Sequence, residues 1–342
     1  MNDMRKGPAV NDTTAFASTP TSPRTEGLLL SGGRWVRGEG AAIPVLDKFL
    51  LEPVGHVHAA SAGQVDAMVA AALAAFRAGP PVAYERGEVL SRAARVIAGK
   101  RAELVRTMQA EAGFTAADAN GEVTRCLETL RLSAEEARRL TGDVLPLEGA
   151  PGQEGRFAFT LRVPLGVVAA ITPFNSPLNT VAHKVAPAFA AGNAVILKPS
   201  TNTPLTACLF AEALIEAGMP GGFLSVLHGG GDVARFLLDD QRVRFFAFTG
   251  STEVGRSIQA SAGLRRTQME LGSIAFTILA ADADLDTALP KIVNAGYRKA
   301  GQVCTSVQML LVHRSLQAQV EERLAPMVAA LPPKVAPVPM PA

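Results

Sequence analysis

Cys304 stands in Gly301-Gln302-Val303-Cys304-Thr305-Ser306, a polar loop with a glycine, between a segment of helical period and a short apolar run. A thiol in an accessible loop can ionise and attack a carbonyl, whereas a buried thiol is inert. Cys126 and Cys208 fall on helical segments instead. A lone cysteine is more often packing than nucleophile, so its partners decide. Glu270, in Met269-Glu270-Leu271-Gly272, is an isolated carboxylate in an apolar, strand-like run. Burial there would raise its pKa toward the range of a general base, although a salt-bridged structural glutamate has the same signature. Asn175, in Thr172-Pro173-Phe174-Asn175-Ser176-Pro177, follows a strand end. Its amide could donate to a developing oxyanion or merely close a turn. No His lies in a comparable loop, which weighs against a hydrolase built on a cysteine–histidine pair.

Two further segments suit a nucleotide. Phe248-Thr249-Gly250-Ser251-Thr252-Glu253-Val254-Gly255 is a glycine-bounded turn between an apolar strand and an amphipathic helix. Bare backbone N–H groups and Ser251 at a helix N-terminus would suit a pyrophosphate. An ordinary strand-to-helix turn with a serine cap has the same composition, and the usual G-x-G-x-x-G fingerprint is absent. Leu197-Lys198-Pro199-Ser200 ends another strand, at the sheet edge where doubly wound folds bind ligands. There Lys198 could hold ribose hydroxyls or a phosphate, or simply be a solvated lysine before a proline turn.

The elements that must position these groups read from the hydrophobic period. Helical spacing runs from Gln64 to Ala78, from Tyr84 to Gly113 and from Gly121 to Leu140. Leu145 to Arg162, interrupted by Glu148-Gly149-Ala150-Pro151-Gly152, reads as a hairpin that projects from the body. From Val163 short apolar runs alternate with helices through Ala262, which implies a parallel sheet covered on both faces. A strand near Thr277 to Leu279, a helix ending near Lys299 with Pro290 as a kink or late start, a strand from Val307 to His313 and a helix from Leu316 to Leu331 complete the pattern. The fold class expected is α/β: a doubly wound parallel-sheet cofactor domain over residues 27–271, then a truncated α/β catalytic domain over 272–331. The polar segment 1–26 and the proline-rich segment 332–342 are set apart as tails.

Composition narrows the function classes. The 342 residues are 48% hydrophobic and 19% charged, enough to bury sizeable cores, and the net charge of +2 with no basic run argues against nucleic acid. No secretory or membrane-spanning segment is evident, and three scattered cysteines suggest neither a disulfide framework nor a metal site. A cytoplasmic protein with small-molecule partners is the expectation.

In this order, Asn175, Lys198, the turn from Gly250 to Gly255, Glu270 and Cys304 resemble the aldehyde dehydrogenase superfamily. The similarity runs from about Gly33 to Leu331 and includes Val163-Pro164-Leu165-Gly166-Val167-Val168 and Gly192-Asn193-Ala194-Val195-Ile196-Leu197-Lys198-Pro199-Ser200. The resemblance implies NAD or NADP as cofactor and a small-molecule aldehyde as substrate. Cys304 would be the nucleophile, Asn175 and the Cys304 N–H the oxyanion donors, and Glu270 the base that activates water on the thioester. It also implies cofactor contacts from Lys198, Ser200, Thr201, Gly230, Gly250, Ser251, Thr172, Phe174 and Leu271.

Three departures accompany it. Thr201 stands where NAD-selective members often carry a glutamate that repels a 2′-phosphate, so NADP remains open. Ser273 and Ile274 replace a glycine and then Lys or Asn. Family members also continue far beyond the cysteine, through a Glu-x-Phe-Gly-Pro segment and a terminal strand that pairs with a partner subunit. The expectation is therefore an enzyme by family, with an inactive fragment that retains at most nucleotide binding as the alternative, and with homo-oligomer formation open.

Overall fold

A computed structural model describes residues 25–331. Five short strands open it: β1 (Glu26–Gly27), β2 (Leu29–Ser31), β3 (Arg34–Val36), β4 (Ala42–Leu46) and β5 (Pro53–His58). Helices α1 (Ala62–Ala78), α2 (Ala83–Gly99), α3 (Arg101–Ala112) and α4 (Ala116–Ala137) follow, then a hairpin of β6 (Val144–Leu145) and β7 (Ala158–Phe159). The alternating part is β8 (Val167–Ile171), α5 (Asn179–Ala190), β9 (Ala194–Lys198), α6 (Pro204–Glu216), β10 (Leu224–Val226), α7 (Gly231–Asp239), β11 (Val243–Thr249), α8 (Thr252–Ala262) and β12 (Arg266–Glu270). A smaller unit has β13 (Ala275–Leu279), α9 (Leu285–Tyr297), β14 (Val307–Val312) and α10 (Gln317–Ala329).

The main sheet has seven strands in the order β12-β11-β8-β9-β10-β2-β3. From β12 to β10 it is parallel, as the alternating pattern requires; the β2–β3 hairpin adds antiparallel to β10. Winding starts at β8, proceeds outward to β10, then returns to place β11 on the other side of β8. This reversal opens a crevice beyond the carboxyl ends of β8 and β11, because the loops there leave in opposite directions. Every residue of β8 and β9 is buried, consistent with helices on both faces. β13 and β14 pair with each other in parallel and share a separate core of Leu279, Leu285, Leu289, Ile292 and Val320.

Local signals account for the element starts. Ser61 and Gln64 form a capping box on α1, Thr115 caps α4, Ser251 caps α8 and Asp284 caps α9. At α6 the cap comes from afar: buried Glu111 on α3 accepts from the N–H groups of Leu205 and Thr206 at 2.8 and 2.7 Å. Burial pushes the Glu111 carboxyl up to about 7 against those hydrogen bonds. This long-range cap fixes the loop between β9 and α6.

Several expectations are revised. The segment from Tyr84 to Gly113 is two helices, broken at Lys100 after Gly99, because glycine is a poor interior helix residue. Helix α9 begins at Leu285 and carries Pro290 within it, so the proline does not delay the start. The hairpin has only two residue pairs, with Phe157, Phe159, Leu161 and Val163 exposed around it. Strands β1 to β5 carried no clear alternation and were not anticipated. Of the expected tails, residues 1–24 and 332–342 lie outside the described residues, while Thr25 and Glu26 are paired onto β5. Among the described residues no helix is long and apolar enough to cross a membrane.

Candidate active site

A groove of about 810 Å³ runs along the carboxyl edge of the main sheet to the Cys304 loop. Parallel strands deliver their loops to one edge, so the motifs meet there although they are far apart in sequence. β8 brings Thr172, Phe174 and Asn175; β9 brings Lys198, Ser200 and Thr201. β10 leads to Gly230, β11 to Gly250 and Ser251, and β12 to Glu270 and Leu271. Cys304 arrives from the loop before β14. All the candidate positions therefore line one groove.

The nucleotide half has features that call for a ligand. The Thr172 hydroxyl oxygen is buried without a hydrogen-bond partner, a state proteins rarely leave unfilled. Lys198 is buried, and among the described residues its ammonium's hydrogen-bond partner is the Pro199 carbonyl at 3.5 Å. Burial, opposed by the Asp232 charge, lowers its pKa to about 8. Ser251 accepts from Val254 N–H at 3.3 Å as the cap of α8, directing that helix N-terminus to the groove. Gly250 closes the turn by donating to the Glu270 carbonyl at 3.1 Å, where a Cβ would lie 2.5 Å from the Phe248 ring. These groups fit a nicotinamide dinucleotide: they offer one cation, one free hydroxyl, glycine backbone and a helix N-terminus.

At the other end of the groove, Cys304 is exposed whereas Cys126 and Cys208 are buried. Desolvation of the sulfur, then the charge of Glu270 and a hydrogen bond to it, hold the thiol above its ordinary range. Glu270 is thus placed as an acceptor for the thiol proton. Glu270 ends the edge strand β12 half-buried, not enclosed as its apolar neighbours suggested. The amide of Asn175 reaches this loop, donating to the Gln302 carbonyl at 2.7 Å. Ser273, one of the departures noted above, donates to the Cys304 carbonyl at 2.9 Å. Ile274 is exposed.

A second cavity of about 640 Å³ lies between α5 and strands β11 and β12, and it shares Thr180, Thr249, Glu270 and Cys304 with the groove. Cys304 and Glu270 therefore stand where two cavities meet. His183 and Lys184 on α5 line the second one. Burial, opposed by the Glu270 charge, brings Lys184 down to about 8, and Lys184 donates to Gln268 at 3.2 Å.

Sequence reasoning missed Lys184, Glu122 and Lys299. Lys184 and Glu122 left a signal, as each sits among buried apolar residues of its helix: Val181, Ala182 and Val185 around one, Ala119, Val123 and Cys126 around the other. Lys299 left none, since its role depends on a backbone excursion. Lys299 and Ala300 have φ of 52° and 55°, followed by Gly301 at 77°. For a non-glycine residue this region costs about 1–2 kcal/mol, so the surroundings must hold it. Metal ligands were not expected, yet Glu26, His56 and His58 converge within 4.8 Å. Arg37 donates to His58 at 2.8 Å and lies 3.6 Å from Glu26, so a guanidinium already occupies one imidazole and pairs with the carboxylate.

The fold and groove define a doubly wound α/β protein with a dinucleotide cleft that ends at a loop cysteine. Residues 35–337 match the aldehyde dehydrogenase family. The chain belongs to that family. It is 44% identical over 289 residues to a 3-sulfolactaldehyde dehydrogenase of Priestia aryabhattai, covering 83% of this chain and 60% of the relative. An NADP-dependent glyceraldehyde-3-phosphate dehydrogenase of Bacillus halodurans, solved with NADP, superposes with a TM-score of 0.86 at 30% identity, over 90% of this chain and 65% of the other. An NAD-dependent aldehyde dehydrogenase of Sinorhizobium meliloti does so at 0.84 with 35% identity, over 89% and 61%. The chain thus spans about three fifths of the length of the curated relative.

Proposed function

We propose that the chain serves the NAD(P)-dependent oxidation of a small-molecule aldehyde to a carboxylic acid, through a thiohemiacetal and then a thioester on Cys304. The observation that carries this reading is the meeting of Cys304, Glu270 and Asn175 at the end of the dinucleotide groove. Glu270 takes the thiol proton as the sulfur attacks the carbonyl carbon. The oxyanion accepts from the second N–H of the Asn175 amide, whose first stays on the Gln302 carbonyl, and from the Cys304 N–H. Lys198, Thr172 and the N-terminus of α8 hold NAD(P), which when bound supplies the hydride acceptor. Having passed the thiol proton to solvent, Glu270 then activates a water that attacks the acyl carbon; the C–S bond of the thioester breaks, the acid leaves and the water's proton restores the thiol. Thr201 leaves room for either nucleotide, because no carboxylate is placed there to repel a 2′-phosphate.

The test is the formation of reduced nicotinamide with NAD or NADP across an aldehyde panel, repeated with Glu270→Gln. Turnover is expected to fall by about 10²–10⁴ in the variant, with an acyl adduct accumulating on Cys304 by mass spectrometry. If the unmodified chain reduces neither nucleotide, or if the variant turns over at full rate, the proposal is wrong.

A further inference from the structure

Lys299 stands five residues before Cys304, and the reaction proposed above does not use it. Its side chain is 6% exposed, and its partner Glu122 on α4 has a side chain at 0%. An ammonium has three donors, and here three partners receive them. The Glu122 carboxylate accepts at 3.0 Å, the Asn175 backbone carbonyl accepts at 2.8 Å, and the Phe114 ring centre lies 4.2 Å away. Glu122 in turn accepts from the Ser176 hydroxyl at 2.8 Å, the Asn179 N–H at 3.1 Å and Arg125 at 2.5 Å. Burial works to raise the Glu122 carboxyl, but the Lys299 charge and these hydrogen bonds outweigh it and leave it below its ordinary range.

The circuit closes through the side chain of Asn175, which donates to the Gln302 carbonyl at 2.7 Å. The loop that carries the amide and the loop that carries the thiol are thus pinned at two points, and both are referred to one carboxylate. Stability is a poor account of this arrangement, because an apolar pair in place of a buried ion pair is often no less stable. Lys299 also holds a left-handed backbone that glycine would adopt at lower cost. What the pair supplies is a fixed distance between two loops.

We infer that Lys299, acting through Glu122 and the Asn175 carbonyl, is a positioning residue that sets the Asn175 amide against the Cys304 sulfur. The inference rests on the proposed reaction only as far as attack by Cys304 on a carbonyl. Oxyanion stabilisation is steep in distance, and a loop drift of about 1 Å costs on the order of 10²-fold in rate.

The experiment uses p-nitrophenyl acetate, which needs no cofactor. The Cys304 sulfur forms a bond to the acyl carbon, the ester C–O bond breaks, p-nitrophenolate leaves, and Glu270 passes the thiol proton to solvent. Iodoacetamide alkylation of Cys304 is the control, since displacement at a saturated carbon builds no oxyanion. Lys299→Met is expected to slow the p-nitrophenolate burst by about tenfold or more while alkylation stays within about threefold. The double variant Glu122→Gln/Lys299→Met regains most of the lost melting temperature, as it removes a buried carboxylate whose remaining cation, Arg125, is itself 45% exposed, but not the burst rate. If Lys299→Met does not fold, the double variant is compared with Glu122→Gln alone. The inference is overturned if burst rate recovers with melting temperature, if both reactions slow together, or if the unmodified chain gives no burst. A normal burst without aldehyde oxidation counts against the dehydrogenase reading alone.

Discussion

Strands β8 and β9 are buried on both faces, from Val167 to Lys198, whereas β13 and β14 are covered on one. The register pairs Phe276 with Met309 and Ile278 with Leu311, and all four side chains lie on the open face, between 45% and 66% exposed. The opposite face, with Leu279 and partly buried Leu310, packs against α9 and α10. The two regions therefore position their functional groups by different means. Lys198, Thr172 and Gly250 ride on a sheet enclosed by helices, so close packing fixes them. Cys304 rides on a unit with one bare face and is fixed by polar cross-ties: Asn175 to Gln302, Ser273 to the Cys304 carbonyl, and Lys299 to Glu122. Enclosure makes the nucleotide face robust, and cross-ties make the Cys304 loop specific but dependent on single residues.

The same kind of substitution should separate the two regions. Leu197→Ala, in a fully buried strand, is expected to cost about 2–5 kcal/mol in urea unfolding. A cost under about 1 kcal/mol would mean the main sheet is less enclosed than its burial implies. Lys198→Met is the next largest expected effect, and it has opposite signs for stability and function. At pH 7 the buried ammonium is a burden of up to about 3 kcal/mol, from its fall to about 8, so the variant should be more stable while binding NAD(P) more weakly. Between about 8 and 10.5 the unfolded chain holds a proton on this lysine that the folded chain has lost. The stability of the unmodified chain therefore rises with pH in that window, and the gap to the variant closes. A gap that stays constant from pH 7 to 10 would refute this origin. Smallest is Ile278→Ala on the open face of β13, expected to change stability by no more than about 0.5 kcal/mol. A cost above about 2 kcal/mol would show that this face is covered in solution.

Much of the fold was legible because its signals are local. Alternation of short apolar runs with helical period marked β8 through α8 almost to the residue, and α8 itself runs from Thr252 to Ala262 as its spacing required. The motif residues were legible for a related reason: an Asn after a strand end, a Lys at a strand end and a Cys in a polar loop are each recognisable by type and place. The strands from Glu26 to His58 were not, since glycines and prolines in and between them interrupt the alternation.

By itself the sequence determined the order of elements from β8 onward, the cap of α8, and the family to which the chemistry-bearing residues belong. Tertiary structure alone decided that Glu122 on α4 would meet Lys299, that Glu111 on α3 would cap α6, and that Asn175 would reach the Cys304 loop. Each of these contacts spans many residues of chain. Periodicity records which face of an element is buried, but the residue that face meets is set by the order of strands and by the reversal at β8, which no local pattern encodes.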